Sequence, residues 1–236
     1  MTGTIALLAA VRQEIAPCAA LLSLRHSNNR YSGYVAGRRV VAMTSGLGEA
    51  RALQAFEKLM ADEQPARLVH LGFAGALDPG LRVGDVPEFS KVTNELGRQV
   101  KLRGDHPTPV RAAVDDGRTL LTVQQVVGSA TTKRRLFERY GACAVDMETY
   151  AVARRAVETA LPLTVMRAIS DEVDTDVPDV AQTWVNADGS TDLIAATRCL
   201  AVRPWLIRRM FRLKHGCDLA AGCLAKRVAI LIAAIS

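Results

Sequence analysis

Apolar residues in this chain come in short unbroken runs separated by longer stretches of mixed polarity. TIALLAAV at residues 4 to 11 is the first run, and Leu68 to Leu71, Leu120 to Val127 and Leu163 to Ile169 follow it. Runs of this length suit strands buried on both faces, as in a sheet covered by helices on each side. Two others, Tyr31 to Ala36 and Arg39 to Thr44, alternate and predict an antiparallel pair turning at Gly37 and Arg38. Helical segments are expected after Glu14 to Leu22, from TSGLGEARALQAF to about Met60, over Thr132 to Tyr140, and after Val145 to about Glu158. The pattern predicts an α/β domain with a mixed, mainly parallel central sheet flanked by helices. Residues 90 to 118 are polar and weakly patterned, and read as a long surface excursion.

The stretch CAVDMETYAVARRAVETALPLTVMRAISDEVD, from Cys143 to Asp174, carries the densest set of candidate groups. It reads as a short strand, an acidic turn, a helix and a second strand ending in Ser170 and Asp171. The carboxyl ends of parallel strands open on one edge, where small ligands bind. Asp146, Glu148 and Asp171 are expected to converge there, with Glu14 just past the first strand. Asp146 equally suits a plain cap on the next helix, and Glu14 a solvated first-turn glutamate, because helix-start amides favour negative charge. Gly46 and Gly48 allow a tight turn into a helix whose first amides are placed to hold an anion. Gly72, Gly75, Gly80 and Gly84 allow close approach of backbone to a ligand, with Asp78 and Pro79 as turn-formers.

At 236 residues the chain can build one large core without disulfides or metal. Cys18, Cys143, Cys199, Cys217 and Cys223 form no CxxC pair and sit mostly in apolar sequence, so buried free thiols in a reducing cytoplasm are expected. His26, His70, His106 and His215 show no metal-ligand spacing, and no metal site is expected. The net charge of +6 would attract nucleic acid or an anionic membrane. Its excess lies near the C-terminus with few aromatics, which argues against nucleic acid. Ile5 to Val11 lacks the preceding basic region of a signal peptide.

Five segments in order resemble the purine nucleoside phosphorylase and methylthioadenosine/S-adenosylhomocysteine nucleosidase superfamily: the apolar strand before Glu14, SGLG, GFAGALDPGLRVGD, VDMET and RAISDEVD. The likeness covers residues 4 to 185 and implies a nucleoside phosphorylase-like three-layer sandwich. It implies a nucleosidase that releases adenine from a 5′-modified adenine nucleoside by hydrolysis, with no cofactor. By the same resemblance Glu14 activates water, Met147 packs on the ribose, Glu148 binds its hydroxyls, Asp171 protonates N7 of the purine and Ser170 orients it. Phe73, Ala74 and Gly75, with the backbone of Gln125, Val126 and Val127, would line the nucleoside pocket. The chemistry needs such groups, because breaking an N-glycosidic bond builds positive charge on the sugar while negative charge flows into the base. One carboxylic acid must protonate the leaving group and a second carboxylate must activate water.

The chain also departs from the pattern. Phe73 stands where the superfamily often has a serine or threonine that helps phosphorylases bind phosphate, and AAVRQE replaces their GxPxR loop. Water is therefore the expected nucleophile. Arg12, with the Gly46 and Gly48 amides, keeps phosphate-dependent cleavage as the alternative, and a catalytically inactive nucleoside-binding protein is the reading from another class. A homo-oligomer is expected by resemblance.

Beyond Trp184, NADGSTDLIAATRCLAVRPWLIRRMFRLKH resembles the tail of the hopanoid-associated phosphorylases, whose assigned substrate is adenosylhopane. The expected division is a catalytic domain over residues 1 to 200 and a basic amphipathic helical tail over 201 to 236. Leu206, Met210 and Leu213 share a stripe with Ile207 and Phe211 beside it, while Arg208, Arg209 and Arg212 fall mostly elsewhere. Such a helix suits peripheral contact with the inner membrane surface, or packing on the domain with its arginines in water. Val228 to Ile235 is too short to span a bilayer. Methylthioadenosine, S-adenosylhomocysteine, adenosylhopane and futalosine remain as candidate substrates.

Overall fold

The computed structural model describes residues 3–102, 118–177 and 206–235. The first apolar run is β1 (Ile5–Ala9), buried along its whole length. Ile5, Leu7 and Ala9 join a cluster with Ile15, Cys18, Val228 and Ile232, whereas Ala6 and Leu8 join another with Ala52, Phe56, Leu59 and Val152. A strand covered on both sides has no polar face, which is why its sequence does not alternate. Helices α1 (Arg12–Leu21) and α5 (Leu206–Ile235) supply the first cluster, and α2 (Glu49–Glu63) and α4 (Thr149–Glu158) the second. Among the described residues one further helix, α3 (Ala130–Tyr140), follows Ser129, whose side chain accepts from the Thr132 amide.

β1 pairs in parallel with β4 (Arg38–Thr44) and β5 (Arg67–Ala76), and β5 with β10 (Leu163–Asp171). β2 (Arg25–Ser27) and β3 (Arg30–Val35) extend one edge as an antiparallel meander with β4. On the other side β8 (Thr119–Thr122) runs parallel to both β6 (Lys91–Asn94) and β9 (Ala144–Asp146), and β7 (Gln99–Lys101) closes that edge. The mixed, mainly parallel sheet between helices is the architecture expected from the hydrophobic pattern.

Several elements differ in extent. β5 does not stop at Leu71 but continues through the glycines to Ala76. The strand expected over Leu120 to Val127 ends at Thr122 because its neighbour β9 ends at Asp146, whose carbonyl accepts from the Val123 amide at 2.9 Å. Within the expected excursion, β6 and β7 are strands too short for their alternation to stand out in the sequence; residues 103–117 lie outside the described residues.

The tail set apart from residue 201 is, over its second half, part of the main core. Leu224, Val228, Leu231 and Ile232 of α5 are buried in one cluster with residues of α1, β1 and β10. Each such side chain contributes roughly 2 kcal/mol, so the helix carries a sizeable share of a domain's typical stability of about 5–15 kcal/mol. Residues 184 to 205, which carry most of the tail resemblance, lie outside the described residues.

Candidate active site

The extended half of β5 is the floor of the site. β1 leaves β5 after His70, while β10 stays beside it as far as Gly75. β9 then joins from the opposite direction, pairing Val145 with Gly75 and Ala144 with Ala76. The acidic ends were expected to meet because their strands run parallel. β9 in fact runs antiparallel to β5, and Asp146 arrives at the same place because β5 overshoots and β9 returns along it. Glycine is required in this stretch. A Cβ at Gly72 would lie 2.4 Å from an Arg167 guanidinium nitrogen and 2.9 Å from Glu14 Oε1, and one at Gly75 would lie 3.0 Å from Asp171 Oδ2.

Glu14 is buried rather than solvated. From the first turn of α1 its Oε2 accepts from the amides of Ala10 (2.8 Å) and Val11 (3.0 Å), and its Oε1 from the Phe73 amide (2.8 Å). A carboxylate offers about four acceptor positions, so one on Oε1 stays open for a water. Burial pushes its pKa up, opposed by the charge of Arg167 and by the three amides. That combination favours a base that holds its place and takes a proton when one is released.

Asp146 and Glu148 are separated by one residue but play different parts. Asp146 accepts from Thr122 Oγ1 at 2.6 Å, from the Thr149 amide at 3.0 Å and from Arg167 Nε at 3.0 Å, and also from Thr149 Oγ1. It therefore does cap α4, and it also neutralises Arg167, which is 1% exposed and lies within 3.3 Å of the His70 ring nitrogens. Burial and the arginine push His70 well below its usual range, so its ring is neutral there. Glu148 points the other way and accepts from the Gly48 amide at 2.8 Å. Burial, helped by Asp146, pushes its pKa up to about 8, against the pull of Arg167 and the Gly48 amide. Next to it Met147, Leu47, Gly48 and Gln124 line a cavity with the first residues of α2.

At the end of β10, Asp171 Oδ1 accepts from Ser170 Oγ at 2.6 Å and Oδ2 from Lys133 Nζ at 2.5 Å. Lys133 reaches in from α3 and is wholly buried. Helix α5 closes this end: a Cβ at Gly216 would sit 2.3 Å from the Ser170 carbonyl oxygen, so the helix lies directly on the strand. The adjacent Cys217 thiol is pushed up to about 12 by burial and then by the charges of Asp171 and Glu14. The C-terminal helix is therefore part of the wall of the site.

The structure brings Glu14, Ser170, Asp171, Phe73, Ala74 and Gly75 together around the second half of β5, and Glu148 lies close enough for the charge of Glu14 to help raise its pKa. Other expected residues are placed differently. The Gly46 amide donates to the Ala10 carbonyl at 2.9 Å and the Gly48 amide to Glu148, so neither is free to cradle an anion. Arg12 points to solvent. In the loop after β8, Gln125 is exposed, Val126 half-buried, and Val127 packs towards α3. Lys133, Arg167, Thr149, Thr122 and His70 escaped the sequence reading. Arg167 was legible in principle as an arginine inside an apolar strand, since a charge is buried only when paired. Lys133 sits in a basic helical turn and gives no such signal.

The chain matches the phosphorylase superfamily over residues 4–202. Over 170 residues it is 26% identical to the 5′-methylthioadenosine/S-adenosylhomocysteine nucleosidase of Staphylococcus carnosus, covering 60% of this chain and 72% of the relative. The nucleosidase of the same description from Baumannia cicadellinicola is 27% identical over 169 residues, covering 62% and 74%. Among solved structures, the futalosine hydrolase of Helicobacter pylori superposes with a TM-score of 0.68 at 18% identity over 98% of both chains. The 5′-methylthioadenosine/S-adenosylhomocysteine nucleosidase of Neisseria meningitidis gives 0.65 at 20% identity, again over 98% of both chains. These structures share the fold, and with the family match over most of its length the chain belongs to the phosphorylase superfamily.

Proposed function

We propose that the protein hydrolyses the N-glycosidic bond of an adenine nucleoside carrying a modified 5′ end, and releases adenine. The observation that carries this reading is the placement of two buried carboxyl groups, Glu14 and Asp171, on the glycine-lined half of β5, with a third, Glu148, buried within reach of the charge of Glu14. Glu148, beside the cavity lined by Met147, binds the ribose hydroxyls and faces the positive charge that develops on the sugar. Glu14 uses its open acceptor position to hold and deprotonate water. Asp171, oriented by Ser170, passes a proton to the leaving purine. Holding the three in fixed geometry replaces the entropy cost of assembling them.

Water is preferred over phosphate because the amides of Gly46 and Gly48 are already bonded within the protein, Phe73 occupies the place of a hydroxyl residue, and Arg12 is exposed. The test is adenine release from methylthioadenosine, S-adenosylhomocysteine, futalosine and a lipid-bearing adenosine, each with and without phosphate. Release without phosphate is expected, and the preferred 5′ group identifies the substrate. Strict dependence on phosphate would replace hydrolysis with phosphorolysis, and no release from any would leave a nucleoside-binding protein.

Peripheral membrane contact is supported by the outer face of α5, where Phe211, Leu219 and Ile230 are exposed beside Arg209, Arg212, Lys214 and Lys226. Among the described residues no helix is long and apolar enough to cross a membrane. Sedimentation with anionic and with neutral vesicles tests this: binding to anionic vesicles alone is expected. The family resemblance favours a homo-oligomer, which light scattering of the purified protein decides.

A further inference from the structure

Asp171 has to deliver a proton, yet it is placed as an acceptor on both oxygens, from Ser170 Oγ and from Lys133 Nζ. Lys133, 38 residues earlier in the chain, is 0% exposed. Its amine meets three acceptors: Asp171 Oδ2 at 2.5 Å, the Glu172 carbonyl at 2.8 Å and the Thr175 carbonyl at 3.0 Å. A lysine ammonium has three N–H donors and no acceptor, whereas a neutral amine would turn a lone pair on one of these oxygens. A buried ammonium also needs a counter-charge, and Asp171 is the carboxylate that supplies it. The resting pair is therefore ammonium and carboxylate, and the proton lies on lysine.

We propose that Lys133 is a positioning residue that stores the proton destined for the leaving purine and acts through Asp171. This rests on the nucleosidase reading above. As the C1′–N9 bond breaks, its electron pair moves into the purine and N7 becomes basic. An N–H bond of Lys133 breaks as an O–H bond forms on Asp171, and that proton passes on to N7. Lysine is left as a neutral amine and Asp171 as a carboxylate. The attacking water gives its proton to Glu14, and once the products leave, that proton returns to lysine through solvent, so water and nucleoside become sugar and purine with no net charge change. The same three hydrogen bonds tie the start of α3 to the end of β10 and the segment after it, which fixes the direction of the Asp171 carboxylate. Arginine could make the ion pair but not give up its proton.

Two substrates separate proton delivery from mere support of the fold: methylthioadenosine, whose purine must be protonated to leave, and 4-nitrophenyl riboside, whose phenolate leaves unprotonated. In Lys133→Met and in Lys133→Arg, with folding checked by circular dichroism, kcat for adenine release should fall by about 100-fold or more. KM should change little, and nitrophenolate release should stay close to wild type. The arginine variant keeps the charge and carries the test if the methionine variant does not fold. Equal loss on both substrates, or adenine release at the wild-type rate in either variant, would overturn the proposal. A wild-type enzyme that releases no adenine would instead overturn the nucleosidase reading, so the two failures are distinct.

Discussion

Replacing Glu148 by glutamine should make the protein more stable at alkaline pH while weakening its hold on ribose. The side chain is buried, and its pKa is raised from 4.5 to about 8. At about 1.4 kcal/mol per unit, that rise makes the ionised form cost roughly 5 kcal/mol. The sign follows from proton counting. Below pH 4.5 folded and unfolded chains both hold the proton; between 4.5 and about 8 only the folded chain does, so stability falls as pH rises. Above about 8 the loss is complete. Glu148→Gln keeps an oxygen for the Gly48 amide, now 2.8 Å from Oε1, and never ionises. Burial raises the pKa of Glu14 as well, which slopes both proteins in the same direction, so only its charge coupling to Glu148 enters their difference. Urea unfolding at pH 5, 7 and 9, with the denaturant slope held as a control, should show the variant gaining on wild type by roughly 3 kcal/mol at pH 7 and roughly 5 at pH 9. Parallel stability curves across that range would refute the argument, because they would mean that ionised Glu148 is not penalised in the fold. Ribose binding should move oppositely, since the variant has one fewer carboxylate oxygen to accept the hydroxyls.

Gly72→Ala places a methyl 2.4 Å from the Arg167 guanidinium. Arg167 is buried among Asp146, Thr149 and His70 and cannot swing out, so a loss of about 3 kcal/mol or more is expected in urea unfolding. Gly222→Ala meets nothing within 4 Å and should instead stabilise by about 0.5–1 kcal/mol, as for a helix interior. Deleting residues 206 to 236 should expose the inner face of the sheet and cost the cooperative unfolding transition, seen as lost near-ultraviolet circular dichroism and dye binding. A truncated chain that unfolds as sharply as the full one would show that α5 is dispensable.

The sequence alone determined the elements that local pattern controls. The unbroken run at Ile5 to Ala9 marked a doubly covered strand, and the alternation from Tyr31 to Thr44 an antiparallel pair. The order of the motifs with Glu14, Glu148 and Asp171 carried the family likeness, because each carboxyl stands at the end of a strand or at the start of a helix. Tertiary structure decided what those carboxyls are bonded to. Asp146 is both cap and counter-ion only because Arg167 arrives from β10 on the far side of β5. Gly72 and Gly75 read as places where backbone approaches a ligand just past a strand, yet they are strand residues, emptied of side chains to admit an arginine, a glutamate and an aspartate from other elements. The Gly46 and Gly48 amides looked free for an anion until the fold gave them Ala10 and Glu148. Lys133 could not be found from the chain at all: its meaning lies in a 2.5 Å contact 38 residues away, and periodicity records which face a residue is on, never which partner it meets there.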